Sequence, residues 1–215
     1  MRCKMTYTHL IWDFNGTILE DMAVGLECVN LMLSKRDLPT VGGLDEYRRL
    51  FCFPIMDYYR MAGFDFEKED YYTVLAPEWV GLYKARMDRC GLCPNITQTV
   101  QAVREKGLSQ IVLSATQRDQ LLEQLALLGV GSWFDDVLGL DNIHAHSKAE
   151  LAVRWKQQHP DATPLFVGDT EHDAETARAI GADCLLYTGG HQSAERLSAC
   201  GYPLITSLLD VLEYL

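Results

Sequence analysis

HLIWDFNGTILE, residues 9–20, is the stretch whose reading decides the fold of this chain. Leu10, Ile11 and Trp12 form an apolar strand that ends on Asp13, and Asn15 and Gly16 then turn the chain towards Thr17. An acid at the carboxyl end of a strand, followed by a glycine turn, stands where open α/β sheets keep their ligands. Asp13 is therefore the candidate reactive group.

Working outward, the pattern becomes helical after Thr17. Met22, Leu26, Val29 and Leu33 fall at helix spacing, and Asp37, Leu38 and Pro39 stop that helix. Leu44, Tyr47 and Phe51 suggest a second helix. Pro54 opens a third that Gly63 closes, and Tyr72 to Met87 carry one or two more, interrupted at Pro77. From Pro94 onward helix and strand alternate, the signature of a parallel sheet with crossover helices. A helix from Asn95 to Lys106 precedes a strand, Gln110 to Leu113, that runs into Ser114, Ala115 and Thr116. Leu121 to Leu128 form the next helix, and a short strand lies at Val137 and Leu138. Ser147 and Lys148 open another helix, and the strand Pro164 to Val167 ends in Gly168, Asp169 and Thr170, with a helix from Glu171 to Ile180. A strand from Cys184 to Tyr187 and a helix from Ser207 to Tyr214 finish the chain. The expected fold is a doubly wound, Rossmann-like α/β core, residues 1–19 and 94–215, with an α-helical insertion at 20–93.

Composition narrows the function. At 215 residues and 48% hydrophobic the chain can bury a sizeable core. A net charge of -11 leaves little basic surface for a polyanion, so nucleic acid is not an expected partner. A small phosphorylated metabolite remains compatible, because a bound metal and one lysine reverse the local field. No run of ~18 apolar residues points to a membrane, and the apolar stretch before Asp13 is too short for a secretion signal, so a cytoplasmic location is expected. Seven cysteines, an odd number, suggest reduced thiols; Cys90 and Cys93 form a C-x-x-C with no second pair at metal-site spacing.

Four sites now stand at strand ends or a helix start: Asp13, Ser114, Lys148 and the pair Asp169/Asp173. Each taken singly has a plain structural explanation as a turn, a helix cap, a solvated lysine or first-turn acids. Their order resembles the four motifs of the haloacid-dehalogenase-like hydrolase superfamily, which opens on an apolar strand and Asp-x-Asp-Gly-Thr. GDTEHDAETARAIGAD, residues 168–183, keeps the superfamily's Gly-Asp-Thr-x-x-Asp. The helical insertion lies where members similar to phosphoglycolate phosphatase and β-phosphoglucomutase carry a cap. The resemblance implies Asp13 as nucleophile and an aspartyl-phosphate that water hydrolyses. It implies Mg²⁺ held by the Asp13 and Asp169 carboxylates and the Asn15 carbonyl, with Asp173 completing the shell. Ser114, the Ala115 N–H and Lys148 would bind the phosphoryl group, beside Gly16 and Thr17. A monomer or homodimer is expected.

One letter departs from the motif. Asn15 stands where the superfamily's phosphatases carry the acid that protonates the leaving group, and its amide cannot shuttle a proton. General acid–base help is worth ~10² to 10⁴ in rate, so slowed hydrolysis of phosphate monoesters is expected, with Glu20, Glu171 or His172 as substitute bases. The alternatives are a phosphonate hydrolase, for which Lys35 is the first-helix lysine, and a phosphometabolite-binding or regulatory protein. Retained Ser114, Lys148 and Asp169 argue against a dehalogenase. Arg48, Arg49, Arg60, Lys84 and Arg86 of the insertion are candidates to read an anionic leaving group. Phe51, Phe53, Tyr58 and Tyr59 are expected to form its core, and His144, His146 and His172 to be structural or surface residues.

Overall fold

The computed structural model describes residues 7–140 and 147–215. His144 and His146 lie outside the described residues. Six parallel strands form the main sheet in the order β5-β4-β1-β6-β7-β8: β1 His9–Trp12, β4 Ser109–Gln117, β5 Asp136–Leu140, β6 Pro164–Gly168, β7 Asp183–Tyr187 and β8 Leu204–Ile205. β1 pairs with β4 on one side and β6 on the other, with Trp12 opposite both Val112 and Val167. The chain winds outward from β1 in both directions, so Asp13 emerges at the switch point of the sheet.

Both faces of β1 are covered, which is why its residues read as one apolar run rather than an alternation. Leu10 and Trp12 belong to one core cluster, with Val100 and Val103 of α5 (Ile96–Glu105). Ile11 faces the opposite cluster, with Trp155 of α7 (Lys148–Gln158) and Ala174 and Ala177 of α8 (Glu171–Ala179). Leu10, Ile11 and Trp12 are fully buried. The buried Trp12 indole donates to Gln110 Oε1 at 3.1 Å, and Gln110 Nε2 donates to the Val100 carbonyl at 3.0 Å, so neither polar group is left unpaired.

Two short strands, β2 Leu19–Glu20 and β3 Gly91–Leu92, pair antiparallel where the chain leaves the sheet region and returns to it. Between them lie α1 Met22–Ser34, α2 Leu44–Leu50, α3 Ile55–Ala62 and α4 Ala76–Lys84. Met32, Leu33, Tyr47, Tyr58, Tyr59 and Leu75 build a separate hydrophobic cluster there. Pro77 sits in the first turn of α4 instead of interrupting a helix, because the first turn needs no N–H from that position. The segment before it, Tyr71–Leu75, is a π-helical turn capped by Asp70. Near the C-terminus, α9 covers Ala194–Ser198, and the expected final helix is a 3-10 helix over Leu208–Glu213. Its capping box, Ser207 with Asp210, ties so short an element at its start. Among the described residues no helix is long and apolar enough to cross a membrane.

Candidate active site

Asp13 is placed by the end of β1, where its N–H donates to the Val167 carbonyl of β6 at 2.8 Å. Asp169 follows β6, and Asp173 lies in the first turn of α8. The three carboxylates are buried, and their oxygens lie within 4.8 Å of one another. Lys148 bridges two of them, its ammonium donating to Asp13 Oδ1 and Asp173 Oδ1. A cation at the first position of a helix opposes the helix dipole. Lys148 is held there by the acids, while Ser147 caps α7 by accepting from the Glu150 N–H at 3.2 Å.

Asp173 has two tasks. Its Oδ2 accepts from the N–H groups of Asp169 and Thr170, at 3.0 and 2.9 Å, and from the Thr170 hydroxyl at 2.8 Å, while Oδ1 faces Lys148. The cap and the charge pair are therefore made by one side chain. Asp169 accepts from the Thr17 hydroxyl at 3.2 Å and from the His191 N–H at 2.6 Å. Gly16, at φ +77°, passes so close to this acid that a Cβ would lie 2.3 Å from Asp169 Oδ2. Gly190 is as tight, at 2.2 Å from the same atom, and its importance gave no signal in the sequence reading.

The charges do not balance among these side chains. Burial first, and then the charge of Asp173, push Asp13 well above the usual carboxylate range against the pull of Lys148. Burial raises Asp169 to about 6, opposed by the nearby His191 charge. Burial disfavours the Lys148 charge, but Asp13 and Asp173 outweigh it and hold the ammonium above its ordinary value. Three carboxylates thus face one ammonium, a deficit that one divalent cation would cancel. An all-oxygen donor set of this kind suits a hard cation.

Asn15 is fully engaged. Its amide donates to Asp21 Oδ2 at 2.8 Å and to the Tyr83 hydroxyl oxygen at 3.2 Å, and its carbonyl accepts from Thr116 Oγ1 at 3.1 Å. Asp21 can only accept, and this fixes which end of the amide points at it. Asp21 also accepts from the Gly16 N–H at 3.1 Å and from the Tyr83 hydroxyl at 2.6 Å. Its Oδ1 lies 3.0 Å from His191 Nε2, and the other ring nitrogen of His191 lies 2.8 Å from Tyr47 Oη. Burial works to raise Asp21, but the His191 charge and the hydrogen bonds outweigh it and hold the carboxyl below its usual value. Burial would lower His191; Asp21 reverses this and lifts it to about 9. Asp21, His191 and Tyr83 were not among the sequence candidates. Asp21 lies one turn beyond a motif already assigned, and His191 follows a loop with no motif of its own.

The other sequence candidates divide. Ser114, Ala115 and Lys148 line the cavity above Asp13. The Ser114 hydroxyl donates to Thr116 Oγ1 at 3.1 Å and accepts from the Thr116 N–H at 3.0 Å. Gly16 and Thr17 are buried behind the acids and support Asp169. Glu20 is exposed on β2. Glu171 accepts from the Phe53 N–H at 3.1 Å, and the ring of Phe53 stacks on His172 with centroids 3.7 Å apart. Lys35 is an exposed partner of Glu78, at 2.7 Å. Arg48 donates to the carbonyls of Gly190 and Gly189, at 2.9 and 3.1 Å, while Arg60 pairs with Asp57 and Arg86 with Glu27. Arg49 lines a separate surface pocket beside α8. Cys90 and Cys93 are free thiols, both pushed up by burial.

A central parallel sheet with an acid at the switch point, a serine after β4, a lysine opening α7 and two acids after β6 defines a hydrolase class. The profile of the haloacid dehalogenase-like hydrolases matches residues 10–187, and the chain belongs to that family. Phosphoglycolate phosphatase of Rhodobacter capsulatus is 26% identical over 190 residues, covering 85% of this chain and 85% of the relative. A haloacid dehalogenase-like family hydrolase from Streptococcus pneumoniae superposes with a TM-score of 0.81 at 18% identity, over 97% of this chain and 98% of that one. Protein Tyrosine Kinase A of Mycobacterium tuberculosis superposes with a TM-score of 0.79 at 17% identity, over 97% and 98%. At such identities the structural likeness is one of fold, and the reaction has to be argued from the site.

Proposed function

We propose that this chain is a Mg²⁺-dependent phosphatase of small phosphate monoesters, acting through Asp13 and slowed by Asn15. The observation that carries the reading is the buried group Asp13, Asp169 and Asp173 at the switch point of the sheet, with Lys148 bridging Asp13 and Asp173. The phosphatase names of relatives such as the Rhodobacter capsulatus protein support it.

Asp13 and Asp169 would hold the metal through their carboxylates and Asn15 through its main-chain carbonyl, with Asp173 orienting the shell; the bound cation supplies charge neutralisation. An Asp13 carboxylate oxygen attacks phosphorus, the bond from phosphorus to the ester oxygen breaks, and the leaving group departs with that electron pair. Ser114 and the Ala115 N–H donate to the phosphoryl oxygens, and Lys148 offsets their charge. Water then attacks the aspartyl-phosphate at phosphorus, loses its proton to solvent, and releases inorganic phosphate and the Asp13 carboxylate. Asn15 supplies no proton in either half, so departure of the leaving group is the step it slows.

The helical segment, residues 20–93, acts as a cap over a core of residues 1–19 and 94–215 in this reading, excluding water once substrate is bound. Arg48, Tyr47 and Phe53 fasten it to Gly189, Gly190, His191 and His172. The protein works in the cytoplasm as a monomer or homodimer, on a small phosphorylated metabolite. The locked amide of Asn15 favours a second reading, capture of a phosphorylated metabolite without turnover. A phosphonate reaction has less support, since Lys35 is engaged by Glu78 and is not among the cavity residues.

The test is phosphate release from a panel of esters, with Mg²⁺ and with chelator, by wild type, Asn15→Asp and Asp13→Asn. Metal-dependent release by wild type that Asp13→Asn abolishes is the expected result. Release by Asn15→Asp alone favours the binding protein, and no release by either active-site form overturns the phosphatase.

A further inference from the structure

A cavity of about 690 Å³ opens above Asp13 between the sheet and the helical segment. Its size is that of a site for a ring-sized ligand. The floor is charged, with Asp13 and Lys148; the walls are aromatic, with Phe51, Tyr58, Trp79 and Tyr83. Trp79 and Tyr83 stack on one another with centroids 4.7 Å apart, so they present rigid faces rather than mobile chains.

Cationic recognition is sparse in these walls. Arg36, Arg60 and Arg86 are held by acids, and Arg48 is spent on backbone carbonyls. Among the described residues of the helical segment, Lys84 is the cation that lines the cavity, and it is exposed; an acid, Glu123, lines the same space. His191 also lines the space, but Asp21 already meets its charge, so a leaving group carrying its own carboxylate finds little there to hold it.

Two residues that line this cavity each carry an unpaired buried polar atom among the described residues. Tyr58 Oη and Gln124 Oε1 are buried and have no hydrogen-bond partner among the described residues, and both residues line the space. Tyr58 is 3% exposed and Gln124 6%. Gln124 Nε2 is occupied by the Met87 sulfur at 2.9 Å, which leaves the carbonyl oxygen as the orphan. A buried polar group without a partner destabilises the fold, because it has lost its water and gained nothing in exchange. A ligand that offers an acceptor to the Tyr58 hydroxyl and a donor to Gln124 would remove both penalties once these two side chains turn towards it.

Asn15 points the same way by an independent route. Without a general acid, the ester oxygen must leave as an anion, and a ring that delocalises that charge makes departure far easier than an alkoxide does.

Resting on the phosphatase reading above, we propose that the substrate is the phosphate ester of an uncharged aromatic alcohol whose ring carries a hydrogen-bonding edge. Attack by Asp13 breaks the bond from phosphorus to the aryl oxygen. The phenolate leaves with the electron pair and takes its proton from solvent. The aromatic walls hold the ring, and Tyr58 and Gln124 read its edge.

The experiment pairs turnover with binding, so that leaving-group reactivity and recognition separate. Phosphate release is compared for 4-methylumbelliferyl phosphate and phosphoglycolate with Mg²⁺. Kd is measured by calorimetry for two unreactive analogues, 2-naphthylmethylphosphonate and phosphonoacetate. A kcat/KM at least tenfold higher for the aryl ester, with Kd at least tenfold lower for the naphthyl compound, is expected. Trp79→Ala should erase most of the Kd difference, and Tyr58→Phe should raise KM for the umbelliferyl ester, whose ring carbonyl is an acceptor. Turnover with equal or better use of phosphoglycolate, and no preference for the naphthyl phosphonate, overturns the substrate class and leaves the phosphatase standing. A naphthyl preference without release of phosphate from any ester upholds the recognition of aryl groups and overturns catalysis.

Discussion

The two walls of one cavity follow opposite physical rules. The sheet wall gathers three buried carboxylates and a lysine that pairs with two of them, which leaves an excess of negative charge that a divalent cation would cancel. The helical wall is aromatic, and most of its arginines are turned away into ion pairs. The difference teaches where each part of a reaction is decided. Charge concentrated at the switch point of the sheet deals with a phosphoryl group, which is the same for every ester. The helical wall, which touches only the remainder of a ligand, is free to be apolar.

The largest expected effect tests the charged wall. Asp13→Asn should lower phosphate release by at least about 10⁴-fold, since no other carboxylate stands at the end of β1; single-turnover assays with labelled ester would detect any residual acyl-phosphate chemistry. Next comes Asn15→Asp, which should raise kcat by ~10² to 10⁴ for alkyl esters and by less for aryl ones. The new carboxylate would lie against Asp21, where Asn15 Nδ2 now donates at 2.8 Å, and two acids so placed share a proton that one of them can give to a leaving group. Equal gains for both ester types would show that departure of the leaving group is not what Asn15 limits.

Lys148→Met leaves Asp13 and Asp173 without their bridge. A loss of about 3–5 kcal/mol of unfolding free energy is expected, measured by urea denaturation. Added Mg²⁺ should restore part of it if the acids bind the ion. Arg48→Ala removes the guanidinium donors to Gly189 and Gly190, and should cost about 1.5–3 kcal/mol in the same assay. The smallest effect belongs to the apolar wall. Tyr58→Phe deletes a buried hydroxyl that has no partner, and should stabilise the ligand-free protein by up to about 1 kcal/mol. A destabilised Tyr58→Phe would mean that the hydroxyl is satisfied in solution and that the walls are less dry than their lining suggests.

Much of the fold could be read from the chain because it is written in local patterns. An unbroken apolar run at Leu10 to Trp12 marks a strand buried on both faces, and the alternation of helix and strand after Pro94 requires a parallel sheet. Pro77 opens α4 rather than interrupting a helix, because proline is compatible with the first turn, and its neighbours in the sequence do not reveal which turn it occupies. The terminal helix is 3-10 rather than α, and apolar spacing over six residues does not separate the two.

The sequence by itself determined the order of Asp13, Ser114, Lys148, Asp169 and Asp173 on successive elements, because each is fixed by the strand it follows or the helix it opens. Only the tertiary structure decided the partners of Asn15. Asp21, Tyr83 and Thr116 reach it from a turn, a helix and a strand, and their spacing along the chain holds no period that links them. The same holds for His191, which meets Asp21 and Tyr47 across 170 and 144 residues. Hydrogen bonds between distant segments depend on how the layers pack, and that packing also turns arginines of the helical segment into ion pairs and away from the cavity. The chemistry of the phosphoryl group is therefore local in origin, whereas the choice of what it is attached to is a property of the assembled fold.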